Sequence, residues 1–149
     1  MVKIMIINGP NLNLLGRREP QIYGHTTYAD LIKLIHKHCT ERGAECKIFQ
    51  SNHEGTIVDA IQEGADYFDG YVINPAAYTH TSVAILDALK AVGLPAVEVH
   101  ISDVDKREKF RQISYPGMYC FKTVKGEGVQ GYCTAIDALL DKLAEQGCR

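Results

Sequence analysis

The sequence lacks several features that would assign it at once to a broad class of protein. Its five cysteines, at positions 39, 46, 120, 133 and 148, include no CxxC pair. An odd number of cysteines without that spacing argues against both a disulfide framework and a zinc site. No apolar run approaches the ~20 residues that a membrane-spanning helix needs. No basic segment followed by an apolar stretch signals secretion. We therefore expect reduced cysteines, no bound metal, no membrane partner and a cytoplasmic location.

The chain also lacks an excess of charge of either sign. Its 16 Lys and Arg residues nearly balance 18 Asp and Glu residues, which gives a formal net charge of -2. Nothing in this balance favours nucleic acid or another polyanion as a partner. With 149 residues and no repeat, low-complexity tract or linker, the chain has the length of one domain with a sizeable core. We expect residues 1–149 to form that single domain.

Short apolar runs alternate with amphipathic segments along the whole chain. The apolar runs predict strands at residues 2–7, 45–50, 70–74, 95–101 and 119–124. Apolar residues at steps of three and four predict helices at 26–42, around 57–65, from about 79–82 towards 93, and at 132–145. Strands that alternate with helices form a parallel sheet covered on both faces. We expect an α/β, flavodoxin-like fold whose five strands lie in the order 2-1-3-4-5.

The segment after the first predicted strand is unusually long and polar. Residues 8–24 contain three Asn, two Pro, two adjacent Arg and a Tyr, and helix signals return only at Thr26 and Thr27. Connections between a strand and the following helix are normally two to six residues long. A long polar loop at the carboxyl end of a first parallel strand is where open α/β proteins bind ligands. The sequence therefore predicts a binding site beside this loop.

Polar residues also follow the third and fourth predicted strands. Glu98 and His100 lie on the same side of the fourth strand, because side chains alternate along a strand with a period of two. The carboxyl ends of neighbouring parallel strands meet at one edge of a sheet, so the polar residues after three strands converge on one crevice. They are Asn8, Asn11, Asn13, Arg18 and Tyr23 after the first strand, Asn74, Tyr78, Thr79 and His80 after the third, and His100 and Ser102 after the fourth.

Six motifs carry a resemblance that covers nearly the whole chain in order. They are Asn8-Gly-Pro-Asn-Leu-Asn-Leu-Leu-Gly, Arg18-Glu-Pro-x-Ile-Tyr-Gly, Gln50-Ser-Asn-His-Glu-Gly, Asn74-Pro-x-Ala-Tyr-Thr-His-Thr-Ser, Glu98-Val-His-Ile-Ser and Gly128-x-x-Gly-Tyr. Together they closely resemble the type II 3-dehydroquinate dehydratases. The resemblance implies a hydro-lyase that needs no cofactor and removes water from 3-dehydroquinate by anti elimination, through an enolate. It also implies a homo-oligomer, in this family usually a dodecamer of four trimers.

The resemblance assigns the base to Tyr23, acting as a tyrosinate on a lid formed by residues 17–25. Free tyrosine has a pKa of about 10, so roughly one side chain in a thousand would be ionised at neutral pH. A guanidinium about 4 Å away contributes on the order of 4 kcal/mol at an effective dielectric constant of 20, equivalent to nearly three pKa units. Arg18 matches the family's arginine in that role, and Arg107 is a second candidate.

The resemblance distributes the remaining roles over the other loops. Asn11 would hold the enolate through a water molecule, and His100 would be the general acid that protonates the departing hydroxyl. Glu98 would orient the imidazole of His100 and keep it protonated. The predicted substrate contacts are Asn74 and the backbone of Ile101 and Ser102 for the carboxylate, and His80, Arg111 and Asp87 for ring hydroxyls. Asp87 lies nearly two helical turns beyond His80, and the family pattern takes it from a neighbouring subunit.

The sequence departs from the family pattern at three places. Ala76 stands where glycine is usual after Asn-Pro, residues 103–106 replace a common Asn and His, and residues 116–125 carry Tyr119, Lys122 and Lys125 at positions that are commonly small or apolar. None of these changes removes a predicted catalytic group. They concern trimer contacts and the affinity of the lid.

Other interpretations remain open at this point. Residues 126–131 spell the dinucleotide fingerprint GxGxxG, but no strand follows to carry a ribose-binding acid. A receiver-type signalling domain shares the architecture, but Asn8 and Asn74 stand where it needs acidic residues. A Schiff-base dehydratase wants a desolvated lysine at a strand end, for which only Lys125 is near. Tyr23 could be a packing residue, Glu98 and His100 a structural pair, and residues 52–54 the cap of the second helix, which we prefer for that segment.

Overall fold

A five-stranded parallel sheet organises the chain. The computed structural model describes residues 1–17, 19–23 and 25–147, without the side chain of Tyr23. The strands are β1 (Lys3–Asn8), β2 (Glu45–Gln50), β3 (Gly70–Asn74), β4 (Ala96–His100) and β5 (Lys122–Lys125). They lie in the order 2-1-3-4-5, and every neighbouring pair is parallel. The predicted flavodoxin-like order is therefore confirmed, and the switch point lies between β1 and β3.

Helices cover both faces of this sheet. They are α1 (Pro20–Tyr23), α2 (Tyr28–Glu41), α3 (Glu54–Gly64), α4 (Val83–Val92) and α5 (Gly131–Glu145). One core joins α2 and α5 to the sheet, and a second core joins α3 and α4 to the opposite face. Each residue of β3 and β4 is buried, which explains their nearly continuous apolar sequences. In the described part of the chain, no helix is both long enough and apolar enough to cross a membrane.

The ends of α2 follow local sequence rules. The backbone N–H of Asp30 donates to the Thr27 hydroxyl, and the N–H of Thr27 donates back to the Asp30 carboxylate, both at 3.1 Å. This capping box satisfies two donors that the first turn leaves without helical partners. Gly43 follows the helix with φ of 70°, a conformation that glycine adopts without steric cost. The predicted helix is confirmed, with each end shifted by one or two residues.

Two segments differ from their predictions. The last strand begins at Lys122 instead of residue 119, because residues 116–118 form a 3-10 turn and the N–H groups of Tyr119 and Cys120 both donate to the carbonyl of Pro116. The loop after β1 also contains regular structure, a 3-10 turn at Leu12–Leu14 and the one-turn helix α1. Both differences involve short turns, which the hydrophobic periodicity of a sequence does not reveal.

Residues 52–54, which we expected to cap the helix after β2 (α3), also serve the loop after β1. The side-chain oxygen of Asn52 accepts a hydrogen bond from the N–H of Asn11 at 3.0 Å. The Gln50 amide donates to Asn52 at 3.2 Å and to the carbonyl of Gly9 at 3.1 Å. His53 is the N-cap residue of α3 but makes no side-chain capping bond. The prediction that residues 52–54 cap this helix is therefore correct for the position of His53, but no side chain makes a capping bond, and Asn52 instead bridges β2 to the loop.

Candidate active site

The loops after β1 and β3 touch at the carboxyl edge of the sheet. The N–H of Gly9 donates to the carbonyl of Asn74 at 2.8 Å. A Cβ atom at position 9 would lie 2.4 Å from the carbonyl oxygen of Pro75. Only glycine permits so close an approach of two backbones. The contact brings the predicted polar residues of both loops to the switch point.

A cavity of about 160 Å³ opens at this edge. It collects eight of the predicted site residues from the three loops and from the segment after β4. They are Asn11, Asn74, His80, His100, Ile101, Ser102, Arg107 and Arg111, accompanied by Pro10, Leu12, Ala76, Ala77 and Val104. The predicted convergence of polar loop residues on one crevice is therefore confirmed for Asn11, Asn74, His80, His100 and Ser102, whereas Asn13, Tyr78 and Thr79 do not line this cavity.

Three buried neutral side chains form what we call the amide network beneath the cavity. The Asn74 amide donates to the Tyr132 hydroxyl at 2.9 Å, and this hydroxyl donates to the side-chain oxygen of Asn8 at 2.7 Å. The other end of Asn74 accepts from the N–H of Ala76 at 3.1 Å. Burial raises the pKa of Tyr132, which keeps its hydroxyl a neutral donor. Asn74 is held by both ends and retains one amide N–H for a ligand.

A second buried cluster, which we call the carboxylate network, lies at the end of β4. The ring Nε2 of His100 is 2.9 Å from Oε2 of Glu98 and 3.4 Å from the hydroxyl of Thr79. Glu98 is completely buried and His100 is 5% exposed. Hydroxyls of Thr79, Ser114 and Thr123 also donate to the two carboxylate oxygens. Among the described residues, Glu98 thus receives hydrogen bonds from four side chains.

The carboxylate of Glu98 is the most strongly perturbed group of the site. Burial by itself would raise its pKa, because the charged form loses water. The hydrogen bond and positive charge of His100 reverse this effect, and hydrogen bonds from Ser114 and Thr123 add to the reversal. The net result lowers the pKa of Glu98 to about 2. Glu98 is therefore an anion at any pH at which an enzyme normally works.

The contact with Glu98 decides which nitrogen of His100 is available to a ligand. A carboxylate anion only accepts, so Nε2 of His100 carries a hydrogen and donates it to Glu98. Any proton that this ring transfers in the cavity must then be carried by Nδ1. An imidazole that is anchored through Nε2 and offers only Nδ1 to a ligand is suited to general acid catalysis. Burial and geometry thus assign the two ring nitrogens to different tasks.

His80 and Arg111 offer complementary hydrogen-bonding groups on another wall. Nδ1 of His80 lies 2.8 Å from the carbonyl of Ile113, so this nitrogen carries a hydrogen. Burial lowers the pKa of His80, and the positive charges of His100 and Arg111 lower it further. The neutral ring keeps Nε2 as an acceptor. Arg111, which pairs with Glu108, adds a guanidinium that can only donate.

Arg107 connects the cavity to the loop that carries the predicted base. Its guanidinium lies 3.8 Å from the carboxylate of Glu19, and its side chain is 14% exposed. Glu19 directly precedes α1, the one-turn helix that contains Tyr23. The predicted roles of Arg18 and of the Tyr23 side chain lie outside the described residues. Through this ion pair, Arg107 links the loop after β1 to the wall of the cavity.

Asp87 is the predicted site residue that the structure leaves away from the cavity. It lies in the middle of α4 with its side chain exposed, and it does not line the cavity formed by its own chain. The backbone of Ile101 and Ser102, in contrast, lines the cavity, and their carbonyls accept from the N–H groups of Gly128 and Gly126. A contribution from Asp87 would have to come from another subunit.

Sequence reasoning missed the residues that hold the site in place. Tyr132 and Thr79 lie within motifs of the resemblance, yet their side chains received no role. Ser114 and Thr123 lie in segments without any motif, and an isolated hydroxyl in a sequence gives no signal of a buried carboxylate beside it. Only the three-dimensional contacts with Glu98 identify them.

Two of the alternative interpretations conflict with this geometry. The GxGxxG turn would have to offer free backbone N–H groups to a pyrophosphate, but those of Gly126 and Gly128 donate to the carbonyls of Ser102 and Ile101. A receiver-type domain needs clustered acids for magnesium. Within residues 1–17, 19–23 and 25–147, no group of three His, Cys, Asp or Glu side chains is arranged to hold a metal ion.

Comparison with known proteins gives one consistent result. The family model for dehydroquinase class II matches residues 2–140. The chain is 54% identical over 133 residues to a 3-dehydroquinate dehydratase of Cereibacter sphaeroides, covering 89% of this chain and 90% of the relative. It is 54% identical over 134 residues to catabolic 3-dehydroquinase 1 of Fusarium vanettenii, covering 90% and 93%. A type II dehydroquinase from Butyrivibrio crossotus superposes with a TM-score of 0.92 at 50% identity, covering 93% of this chain and 97% of that one.

Proposed function

Because this chain belongs to the class II dehydroquinase family, we propose that it dehydrates 3-dehydroquinate to 3-dehydroshikimate. The observation that carries the proposal is the buried pair of Glu98 and His100 at a cavity that also contains Asn74, His80 and Arg111. This arrangement offers a proton donor beside groups that bind carboxylate and hydroxyl. The single domain of residues 1–149 is part of the same proposal.

The reaction requires a base and an acid at different positions. A base removes the weakly acidic hydrogen next to the ketone and an enolate forms. The enolate electrons then expel the hydroxyl from the neighbouring carbon as the acid protonates it, so that water leaves and a conjugated enone remains. We assign the base to Tyr23, activated by Arg18 and supported by Arg107, and the acid to Nδ1 of His100. Elimination is anti, because base and acid approach from opposite sides.

The substrate is held by donors and acceptors that match its groups. Its carboxylate takes the remaining N–H of Asn74 and the backbone of Ile101 and Ser102. A ring hydroxyl donates to neutral His80 and accepts from Arg111, which is the pairing that these two side chains favour. Asn11, held at its backbone by Asn52, supports the enolate oxygen through a water molecule.

The loop after β1 closes over the bound substrate. Residues 17–25 form the lid in this proposal. The ion pair between Arg107 and Glu19 connects the first part of this lid to the cavity wall. Asp87 reaches the site from a neighbouring subunit in a trimer, and four trimers assemble into a dodecamer. The protein acts in the cytoplasm and needs no cofactor, in aromatic biosynthesis or in quinate breakdown.

The test is the rise in ultraviolet absorbance from the conjugated product when purified protein meets 3-dehydroquinate. The rise should be unchanged after the protein has been treated with borohydride, which traps Schiff bases, and the reagent has been removed. It should also be unchanged in the presence of a chelator, which removes metals. Tyr23→Phe and Arg18→Ala should each lose most of kcat while circular dichroism stays that of the parent. Tyr67→Phe is the matched control, because Tyr67 is 73% exposed and lies outside the cavity. Unchanged turnover in Tyr23→Phe would sink the assignment of the base.

A further inference from the structure

Glu98 is enclosed by hydroxyl groups that come from three separate segments. Thr79 precedes α4 and donates to Oε2 at 3.0 Å, and Thr123 on β5 donates to Oε1 at 2.9 Å. Ser114, in the segment between Arg111 and β5, donates to Oε2. With Nε2 of His100, the carboxylate receives four hydrogen bonds, about the number of lone-pair sites that it has. These four hydrogen bonds satisfy a carboxylate that is completely buried, and three of them come from hydroxyl groups.

The orientation of Ser114 is itself fixed. Its oxygen accepts a hydrogen bond from the N–H of Gly117 at 3.0 Å, so its own hydrogen is directed to Glu98. A Cβ atom at position 117 would lie 2.7 Å from Oε1 of Glu98 and 2.9 Å from the Ser114 oxygen. The backbone at Gly117 therefore approaches the Glu98 carboxylate as closely as a residue without a side chain allows. This close contact restricts the carboxylate to one orientation.

We propose that Ser114 and Thr123 are positioning residues for the dehydration, because their hydroxyls keep Glu98 an oriented anion that anchors Nε2 of His100 and leaves Nδ1 to the substrate. The inference rests on the proposed function and extends it to residues outside the substrate cavity. Neither residue lines that cavity; both line a second one of about 280 Å³, which also contains Glu98 and shares His100 with the first. They act on the reaction only through Glu98.

Charged groups around Glu98 do not replace the hydroxyls. Besides His100, the nearby cations are Arg111 and Lys125, and these pair with Glu108 and Asp105. Neutral His80 contributes little charge at neutral pH. The Cys120 thiol also faces this region, and burial together with the negative charge of Glu98 raises its pKa, so it stays neutral. Apart from His100, the side chains that donate hydrogen bonds to Glu98 among the described residues are therefore the three hydroxyls.

Removing the hydroxyls should make protonation of Glu98 visible in the working range of the enzyme. A hydrogen bond to a carboxylate shifts the balance between its two protonation states by about one pH unit. The double variant Ser114→Ala, Thr123→Val should therefore raise the pKa of Glu98 by about two units. A protonated Glu98 no longer stabilises an imidazolium, so the loss in kcat should grow as the pH falls below about 5.

The experiment measures kcat and KM from pH 4 to 9 and follows the Glu98 carboxyl carbon by NMR. In the double variant we expect an acid limb in kcat, a KM within about twofold of the parent, and a carboxyl titration that the parent lacks above pH 4. Thr123→Val alone should show about half the shift, so its carboxyl titration is followed by NMR down to about pH 2, which keeps the test usable if the double variant folds poorly. Thr123→Ser keeps the hydroxyl and should restore the parent profile.

Thr134→Val is the matched control, because it deletes a hydroxyl that donates to Glu127 at 2.8 Å, and neither residue lines either cavity. It should leave the pH profile of kcat unchanged. An unchanged carboxyl titration in the double variant would overturn the proposal, as would an equal loss of kcat at every pH. If the parent protein does not turn over 3-dehydroquinate, the proposed function fails instead, and the carboxyl titration still decides the role of the hydroxyls.

Discussion

Two buried polar clusters at the same edge of the sheet differ in charge. The amide network of Asn8, Asn74 and Tyr132 is neutral, whereas the carboxylate network centres on Glu98 and His100. Both lie at strand ends, and Asn8, Asn74, Tyr132, Glu98 and His100 are at most 5% exposed. Both are also satisfied, since no buried side-chain nitrogen or oxygen among the described residues lacks a hydrogen-bond partner.

The difference separates holding a substrate from transforming it. Amides and a neutral phenol keep the same donors and acceptors over the whole physiological pH range, so the amide network fixes the shape of the cavity floor. A carboxylate next to an imidazole can change its proton content, and burial makes that change costly unless every partner is in place. We expect variants of the two clusters to fail in different measurements.

The largest effect should follow removal of the acid from the carboxylate network. His100→Asn keeps a polar side chain of similar size but cannot transfer a proton, so we expect kcat to fall about 10³-fold. Product absorbance and circular dichroism measure rate and folding together. His36→Asn, at an exposed position on α2, is the matched control and should retain the parent rate. A His100→Asn enzyme with near-normal kcat would remove His100 from the mechanism.

A second effect concerns stability against acid. The pKa of Glu98 is about 2 in the folded state and about 4.3 in an unfolded chain. Because the folded-state value is the lower one, ionisation of Glu98 stabilises the fold fully above about pH 4.3, and this stabilisation disappears as the pH falls towards 2. It amounts to on the order of 3 kcal/mol. Urea unfolding at several pH values should show a shallower acid loss in Glu98→Gln than in the parent, and equal slopes would contradict this account.

A smaller effect should follow damage to the amide network. Tyr132→Phe removes the hydroxyl between Asn8 and Asn74 and leaves buried amide groups unsatisfied, at a cost of about 1–3 kcal/mol. Because Asn74 then loses its anchor, we expect KM to rise several-fold while kcat changes less. Tyr71→Phe is the control, since its buried hydroxyl donates to the carbonyl of Ile61 at 2.6 Å, away from the cavity. Tyr71→Phe should lose stability without a change in KM. If the two variants have equal KM values, Tyr132 does not contribute to substrate binding.

The smallest effect belongs to a strained residue at the edge of the amide network. Ala76 has φ of 53°, in a region that side chains with a Cβ atom disfavour. Ala76→Gly relieves that strain but adds freedom to the unfolded chain, so the free energy of unfolding should change by no more than about 1 kcal/mol. Thermal unfolding measures the change. A loss above 2 kcal/mol would show that the methyl group packs more tightly than the strain suggests.

The sequence predicted the elements that depend on periodicity and local chemistry. The parallel sheet follows from the alternation of strands and helices, its order is that of the expected flavodoxin-like fold, and the helix signals at Thr27 and Asp30 form the capping box of α2. The fifth strand was misplaced because Tyr119 belongs to apolar alternation in the sequence but to a turn fixed by Pro116 in three dimensions. Turn geometry that depends on a single carbonyl acceptor leaves no periodic trace.

The site was predictable where function has a motif and unpredictable where it depends on contact. His100, Asn74 and His80 were placed by motif and strand end and Arg111 by the family resemblance, and the cavity contains all four. Ser114 is sixteen positions from Glu98 in sequence, and only the folded chain brings the two together. Residues 52–54 were assigned to a helix cap, whereas a long-range contact with Asn11 takes the side chain of Asn52.

The most direct test of the contrast between the two networks is kcat of Glu98→Gln, measured with 3-dehydroquinate at pH 7. Glutamine preserves the shape of the side chain but removes the charge that an imidazolium of His100 needs beside it. We predict a loss of kcat of at least about 100-fold with KM within a few-fold of the parent. A folded Glu98→Gln enzyme with parental kcat would contradict the account, because a neutral cluster would then serve the chemistry equally well.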